Sequence, residues 1–276
     1  MLETLIIIRT KNEDRWLKAT LEIIFNQKYR NFLVAVVDNN STDRTIEIAK
    51  RYKTKIFKIK KFIPGKAINL PTKKIKSKFV VCLSAHCIPT NENWLSNLIK
   101  PFKNKKVAAV YGKQLPMYNT ESQNYRDLKI VFGNDKRIQK KDYFFHNANS
   151  AIRASLLRKY PFSEKATNIE DRIWAKQILD LNKNFQIIYE PRAAVFHHHG
   201  LHQSNNKKRL DGVIKIMKNI ENENLYPDEF LVNNQKIYAC IIGKRLSKLS
   251  KKYIRTNSNL ISKLEKNDNI EKIIMV

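Results

Sequence analysis

The sequence predicts an α/β fold organised around a doubly wound, largely parallel sheet. Three observations carry that expectation. Over roughly the first 110 residues, short apolar runs alternate with helix-patterned segments in the order β-α-β-α-β-α-β-α-β. The runs are unbroken instead of alternating apolar with polar, which is how strands covered on both faces read. The central run, Phe79–Pro89 (FVVCLSAHCIP), passes straight from apolar residues into Ser84-Ala85-His86. A buried parallel strand delivers such an ending to the carboxyl edge of the sheet, where open α/β folds bind their ligands.

Each element has its own signal. Leu5–Ile8 is the first strand, closed by Arg9, Thr10 and Lys11. Asn12 is placed to cap a helix whose first turn holds Glu13 and Asp14, with Leu17, Leu21 and Ile24 as its buried stripe. Phe32–Val37 is a second strand, ending in Asp38-Asn39-Asn40-Ser41. Ser41 is placed to cap a helix that turns Ile46, Ala49 and Tyr52 inward, and Lys55–Ile59 is a third strand. Pro64-Gly65 breaks the chain before a short helix over Lys66–Lys74, interrupted or ended near Pro71. Past the central strand, Asn91 caps a helix through Trp94, Leu95 and Leu98, with Trp94 as core, that stops near Pro101. Val107–Tyr111 is another strand.

After Gly112 the pattern loosens. Glu121–Phe132 is helical, and Tyr143–Ile152 holds a strand-like HNANSAIR stretch running into a short helix at Ala154–Lys159. Ile169–Leu181 is a helix with Ile173, Trp174, Ile178 and Leu181 on one side. Phe185–Tyr189 and Ala193–Phe196 are two strands, the second ending in His197-His198-His199.

A chain of 276 residues with 42% hydrophobic content suffices for one large domain, or a domain with an appendage, around a real core. Its 53 Lys and Arg against 25 Asp and Glu give a formal charge of +28, which implies an anionic partner. A nucleotide, a phospholipid surface, an acidic glycan and nucleic acid all qualify. No helix-turn-helix, RNP or zinc-finger pattern accompanies the charge, so no specific nucleic-acid binding is expected. GxGxxG and GxxxxGK[ST] are also absent, which argues against a Rossmann dinucleotide site or a Walker loop. Cys82, Cys87 and Cys240 make no CxxC pair and suit a reduced cytosolic compartment. The N-terminus, MLETLIIIRT, reads as a first strand and not as a signal peptide. No run approaches the ~18 apolar residues of a spanning helix.

From about Tyr226 the chain changes character. Tyr238, Ile241, Ile242, Leu246, Leu249 and Tyr253 recur at helical spacing within Lys236–Arg255, opposite a face of lysines and arginines. A basic amphipathic helix of this kind suits an anionic membrane surface, or docks on a core with its cationic face in water.

The segments IIIRTKNED, VVDNNSTDRT, PGKAIN, FVVCLSAHCIPTNENWL, HNANSAIR and NIEDRIWA stand in one order from Leu5 to Gly200. In that order and spacing the chain resembles a family 2 glycosyltransferase of the GT-A fold. The resemblance implies a Rossmann-like nucleotide-binding half and a mostly parallel central sheet flanked by helices, to which the residues themselves add a basic helical C-terminal tail. It divides the chain into a GT-A domain over 1–225 and a tail over 226–276. The nucleotide-sugar half is about 1–112 and the acceptor half about 113–225.

The resemblance also assigns roles. Arg9, Thr10, Asp38 and Asn39 hold the donor, with Asp38 on the nucleoside and Arg9 facing the phosphate. Lys66 and Asn69 match the next donor motif. Glu170-Asp171 matches the family's acidic pair, with Asp171 as general base and Glu170 orienting it. In a chain this poor in acids, two adjacent ones at a helix start stand out. His146, Asn147 and Asn149 correspond to the acceptor side.

Ser84-Ala85-His86 falls where the family carries DxD, whose acids hold a divalent metal on the donor diphosphate. Both acids are missing here, and several arrangements are open. His86, aided by His197 or His199, holds Mn²⁺ or Mg²⁺, imidazole favouring Mn²⁺. Or no metal is used, and Lys66, Arg9 or protonated His86 supplies the charge. Or the donor is a nucleoside monophosphate sugar, or the site is degenerate. The expected activity is inverting sugar transfer from a nucleotide-sugar donor to a glycan or lipid-linked acceptor of bacterial surface polysaccharide: capsule, O-antigen or lipooligosaccharide. The expected location is cytoplasmic, peripheral on the inner face of the plasma membrane. The alternative is a non-catalytic nucleotide-sugar or glycan binder on the same fold.

Overall fold

The computed structural model describes residues 2–198, apart from residues 119, 121 and 167. His199, Cys240 and the tail helix expected over Lys236–Arg255 lie outside the described residues. The chain divides into two units, residues 1–118 with 134–199, and residues 119–133 with 200–276.

The first unit opens with the alternation read from the sequence. In order come β1 (Thr4–Thr10), α1 (Asp14–Phe25), β2 (Phe32–Asp38), α2 (Thr45–Lys50), β3 (Thr54–Lys58), α3 (Pro64–Lys74) and β4 (Phe79–Ser84). The next elements are β5 (Cys87–Pro89), α4 (Trp94–Ile99), a 3₁₀ turn over Lys100–Lys103, and β6 (Val107–Pro116). A helix of the second unit, α5 (Ser122–Val131), lies close to its expected span. The first unit resumes with β7 (Arg137–Gln139), β8 (Asn149–Arg153), α6 (Ala154–Lys159), α7 (Glu170–Leu181) and β9 (Gln186–His197).

The strands join one sheet in the order β3-β2-β1-β4-β8-β6-β9-β5, with β7 also on β9. The parallel pattern holds across β3, β2, β1 and β4, and again between β6 and β9. β8 runs against both β4 and β6, and β5 and β7 run against β9. Leu5–Ile8 of β1 and Val80–Leu83 of β4 are wholly buried, as strands covered on both faces should be. Cys82 and Cys87 are buried free thiols, and burial pushes the Cys82 thiol up to about 12.

Several details differ from expectation. Asn12 and Ser41 cap no helix. Asn12 sits in the left-handed region (φ 53°) and its Oδ1 accepts from the Thr42 N–H at 2.8 Å. Ser41 Oγ accepts from the Asn12 N–H at 2.9 Å. Because β1 and β2 are parallel neighbours, their exit loops run side by side, and these polar side chains sew one loop to the other. α2 buries Thr45, Ile48 and Ala49, leaving Ile46 and Tyr52 half-buried, and Leu181 of α7 is exposed. Pro71 lies inside α3 without ending it. The two expected C-terminal strands are one. Across Pro191 the pairing jumps from Gly112↔Glu190 to Gln114↔Val195, so the residue without an N–H falls in a bulge that needs no bond from it. Trp94 is core as expected, and its Nε1–H donates to Asn149 Oδ1 at 2.9 Å. Among the described residues, no helix is long and apolar enough to cross a membrane.

Candidate active site

The donor-side candidates meet at the carboxyl edge of three parallel strands. Register places Thr10 of β1 beside Asp38 of β2, and Arg9 beside Ser84 of β4. Asp38 is buried, and both its carboxylate oxygens accept from the Ser41 N–H at 3.3 Å. The Asn39 N–H donates to the Thr10 carbonyl at 3.0 Å. Thr10 Oγ1 is buried with no hydrogen-bond partner among the described residues. An unsatisfied buried hydroxyl costs about 1–3 kcal/mol, so a hydroxyl left open beside a carboxylate suits a place kept for a polar ligand.

Two donor-side candidates stand apart. Lys66 is an exposed residue of α3. Asn69 is buried, and its amide is used within the protein. Nδ2 donates to the Phe162 carbonyl (2.9 Å) and Glu164 Oε1 (3.1 Å), and Oδ1 accepts from the Phe162 N–H (3.1 Å). This amide clasps α3 to the segment ahead of α7.

The acidic pair opens α7, just after Ile169, whose left-handed backbone (φ 51°) is unusual for a β-branched residue and turns the chain sharply into the helix. The helix N-terminus favours both carboxylates. Asp171 Oδ2 accepts from the Asn147 N–H at 2.9 Å, and Oδ1 from the Arg172 N–H at 2.9 Å. Glu170 Oε1 accepts from Asn147 Nδ2 at 3.2 Å and from Arg9 Nη1 at 3.2 Å. Burial and the neighbouring Asp171 charge push the Glu170 carboxyl up to about 7, against the pull of Arg9 and Asn147.

The acceptor-side candidates separate. Asn147 bonds to both acids and accepts from Ser150 Oγ, so it is their scaffold. Asn149 is wholly buried, accepting from Trp94 and donating to the carbonyls of Lys113 (3.1 Å) and Ala193 (2.8 Å). Only His146 of the three is partly exposed.

Four histidines gather about the Ser84-Ala85-His86 turn. The His86 Nδ1–H donates to Glu13 Oε1 at 2.7 Å, and its ring stacks on His197, centroids 5.2 Å apart and planes 2° from parallel. His197 Nδ1 meets Gln114 Oε1 at 2.7 Å, and Gln114 Nε2 meets His146 Nδ1 at 3.0 Å. The Ala148 N–H donates to that same His146 nitrogen (3.3 Å), which makes it an acceptor. Gln114 must then turn its NH₂ to His146 and its oxygen to His197, so His197 carries its proton on Nδ1. The His198 N–H donates to the His86 carbonyl at 3.3 Å, and its ring lies on Trp16 at 4.6 Å. Neither Glu13 nor Gln114 stood out in the sequence. Glu13 reads as an ordinary first-turn acid, and Gln114 lies past the expected end of its strand.

The structure thus brings His86 and His197 together, but as stacked rings with both Nδ1 atoms engaged. Among the described residues, no group of three or more His, Cys, Asp or Glu is placed to hold a metal ion. With Nδ1 of each ring held by Glu13 or Gln114, Nε2 is the nitrogen by which His86 or His197 would hold a metal, and His199 lies outside the described residues.

Residues 5–161 match the family model described as glycosyl transferase family 2. The chain belongs to that family. Its sheet and flanking helices are those of the GT-A fold, which it shares with the mannosyltransferase PcManGT of Pyrobaculum calidifontis, solved with GDP-Man and Mn²⁺. That likeness has a TM-score of 0.64 at 16% identity, over 93% of this chain and 75% of that one. Among family relatives, the O-antigen chain rhamnosyltransferase WbaN of Salmonella anatum is 29% identical over 177 residues, 59% of this chain and 56% of that protein. The O-antigen chain rhamnosyltransferase RfbN of Salmonella typhimurium is 26% identical over 208 residues, 70% of this chain and 66% of that one. The chain thus spans less than two thirds of either relative.

Proposed function

We propose that this family 2 protein transfers a sugar from a nucleotide-sugar donor to a growing glycan or lipid-linked acceptor of bacterial surface polysaccharide, with inversion at the anomeric carbon. The observation that carries the reading is the pair of buried carboxylates of α7. Arg9 and Asn147 tie them to the sheet edge that presents Thr10 and Asp38. A mere binder has no use for two adjacent buried acids, whose charges cost stability. The names of WbaN and RfbN support O-antigen-type chains as the product and a rhamnosyl donor as the first to try.

In this reading Asp38 accepts from the nucleoside and Thr10 supplies its hydroxyl beside it, with Asn39 alongside. Asp171 takes the proton of the acceptor hydroxyl as its oxygen attacks the anomeric carbon. The new C–O bond forms on the face opposite the breaking bond to phosphate, and the nucleotide leaves with that electron pair. His146, at the rim, is the acceptor-side contact. The leaving phosphate lies by Ser84 and His86, with no step assigned to a metal. The basic tail meets an anionic membrane surface from the cytoplasmic side.

The test is transfer from UDP-, GDP-, dTDP- and CMP-sugars, including a rhamnosyl donor, each with Mn²⁺, Mg²⁺ or EDTA. Expected are turnover with one donor class and a fall of roughly 10²–10⁴-fold in kcat for Asp171→Asn. Full activity in Asp171→Asn would refute the base assignment. Activity lost in EDTA and restored by Mn²⁺ would show that the histidines suffice for a metal. Nucleotide binding without turnover would favour the binder.

A further inference from the structure

Arg9 reaches two parts of the site at once. Its backbone belongs to the donor side: it pairs in register with Ser84, and its carbonyl accepts from the Ala85 N–H at 3.2 Å. Its side chain, 13% exposed, reaches the acidic pair. Nη1 donates to Glu170 Oε1 at 3.2 Å and Nη2 to the Asn147 carbonyl at 3.3 Å. The resemblance that placed Arg9 on the donor phosphate gave no reason for this fork.

We propose that Arg9 is a positioning residue for transfer, holding Glu170 as an anion beside Asp171 and tying the acidic pair to the Ser84-Ala85-His86 turn. The proposal rests on the reading of Asp171 as the base. Glu170 is faced by Asp171 from its own helix, by Arg9 from β1 and by the Asn147 amide ahead of β8. The Cys82 thiol of β4 feels the same three charges. Among these groups Arg9 is the cation. A charged Glu170 accepts from both Arg9 and the Asn147 amide, and the Asn147 N–H in turn holds Asp171, so the ion pair keeps the acidic pair in place. A protonated Glu170 withdraws that help. Arg9 therefore sets the pH at which the pair becomes an effective base.

The test uses the full chain, with Arg9→Met, Arg9→Gln and Arg9→Lys, each checked for folding by its melting transition. The first readout needs no turnover: the Glu170 carboxyl is titrated by ¹³C NMR. In Arg9→Met and Arg9→Gln it should titrate at least about one pH unit higher than in the wild type, which is tenfold in proton affinity. In Arg9→Lys, which keeps the charge but not the fork, the shift should be smaller. The second readout is the pH profile of kcat/KM. Its acidic limb should move upward with the titration, so that at low pH the neutral variants lose about tenfold more activity than on the alkaline plateau, with Arg9→Lys recovering most of it. An unmoved titration in a folded variant overturns the proposal, as does a loss uniform across pH. Lost nucleotide binding by calorimetry with an unmoved limb would return Arg9 to the donor phosphate. If the wild type transfers no sugar while the titration still moves, the proposed function has failed and the positioning role falls with it. The Arg9–Glu170 coupling would remain.

Discussion

Asn149 spends its whole amide inside the protein, on Trp94, Lys113 and Ala193. Removing it takes the acceptor from the buried Trp94 indole N–H and one donor each from the Ala193 and Lys113 carbonyls. Asn149→Ala should therefore lose about 3 kcal/mol of stability, read by denaturant unfolding, while the acceptor KM of the surviving folded protein stays unchanged. A raised acceptor KM with little loss of stability would support the acceptor-side role that the resemblance implied. Glu170 leads to a second prediction at this scale. Its pKa is raised on folding, so its contribution to stability is complete below the unfolded carboxyl range and is lost as pH rises through about 7. Glu170→Gln should remove that slope, shrinking the difference in unfolding free energy between pH 5 and pH 8 by roughly 2–3 kcal/mol. An unchanged slope would place the charge elsewhere. At this scale the sequence was a partial guide. The places of Asp38, Thr10 and the acidic pair were legible because strand ends and helix starts fix where a residue lies. The partners of Asn147, Asn149 and Asn69 were not, because an amide looks the same whether it reads a ligand or braces a core.

Among the elements, the runs covered on both faces were read almost to the residue, since unbroken burial leaves few other interpretations. What escaped depended on partners distant in sequence. Three residues of β5 are too few to show a period, and the direction of β8 is invisible until β4 and β6 stand on either side of it. The merging of two expected strands into β9 depends on the bulge opposite Gly112. There the strands approach so closely that a Cβ on Gly112 would lie 2.0 Å from the Ala193 carbonyl oxygen and 2.4 Å from Asn149 Nδ2. Gly112→Ala should cost about 2 kcal/mol or more and disturb the Asn149 clasp, seen as a lowered melting temperature. A neutral Gly112→Ala would mean that β9 can shift to make room.

For the whole molecule, the fold class was legible from the alternation alone, while the charge of +28 is a property that no single site uses up. Surplus cationic charge acts through the field it sets up at a distance. The full chain should sediment with vesicles rich in anionic phospholipid and not with phosphatidylcholine vesicles, and ~0.5 M salt should release it. Equal binding to both kinds of vesicle would refute an electrostatic attachment.

The short strand β5 has a consequence in time. It pairs Cys87 with His197, some 110 residues later in the chain. A ribosome making this protein therefore releases the Ser84-Ala85-His86 turn long before the strand that anchors its far side exists. Contacts so widely separated in sequence are slow to form. The parallel strands β1 to β4 can pair with one another early, whereas the histidine cluster closes last. A nascent chain stalled before β9 should thus carry most of its parallel core and an unfinished site.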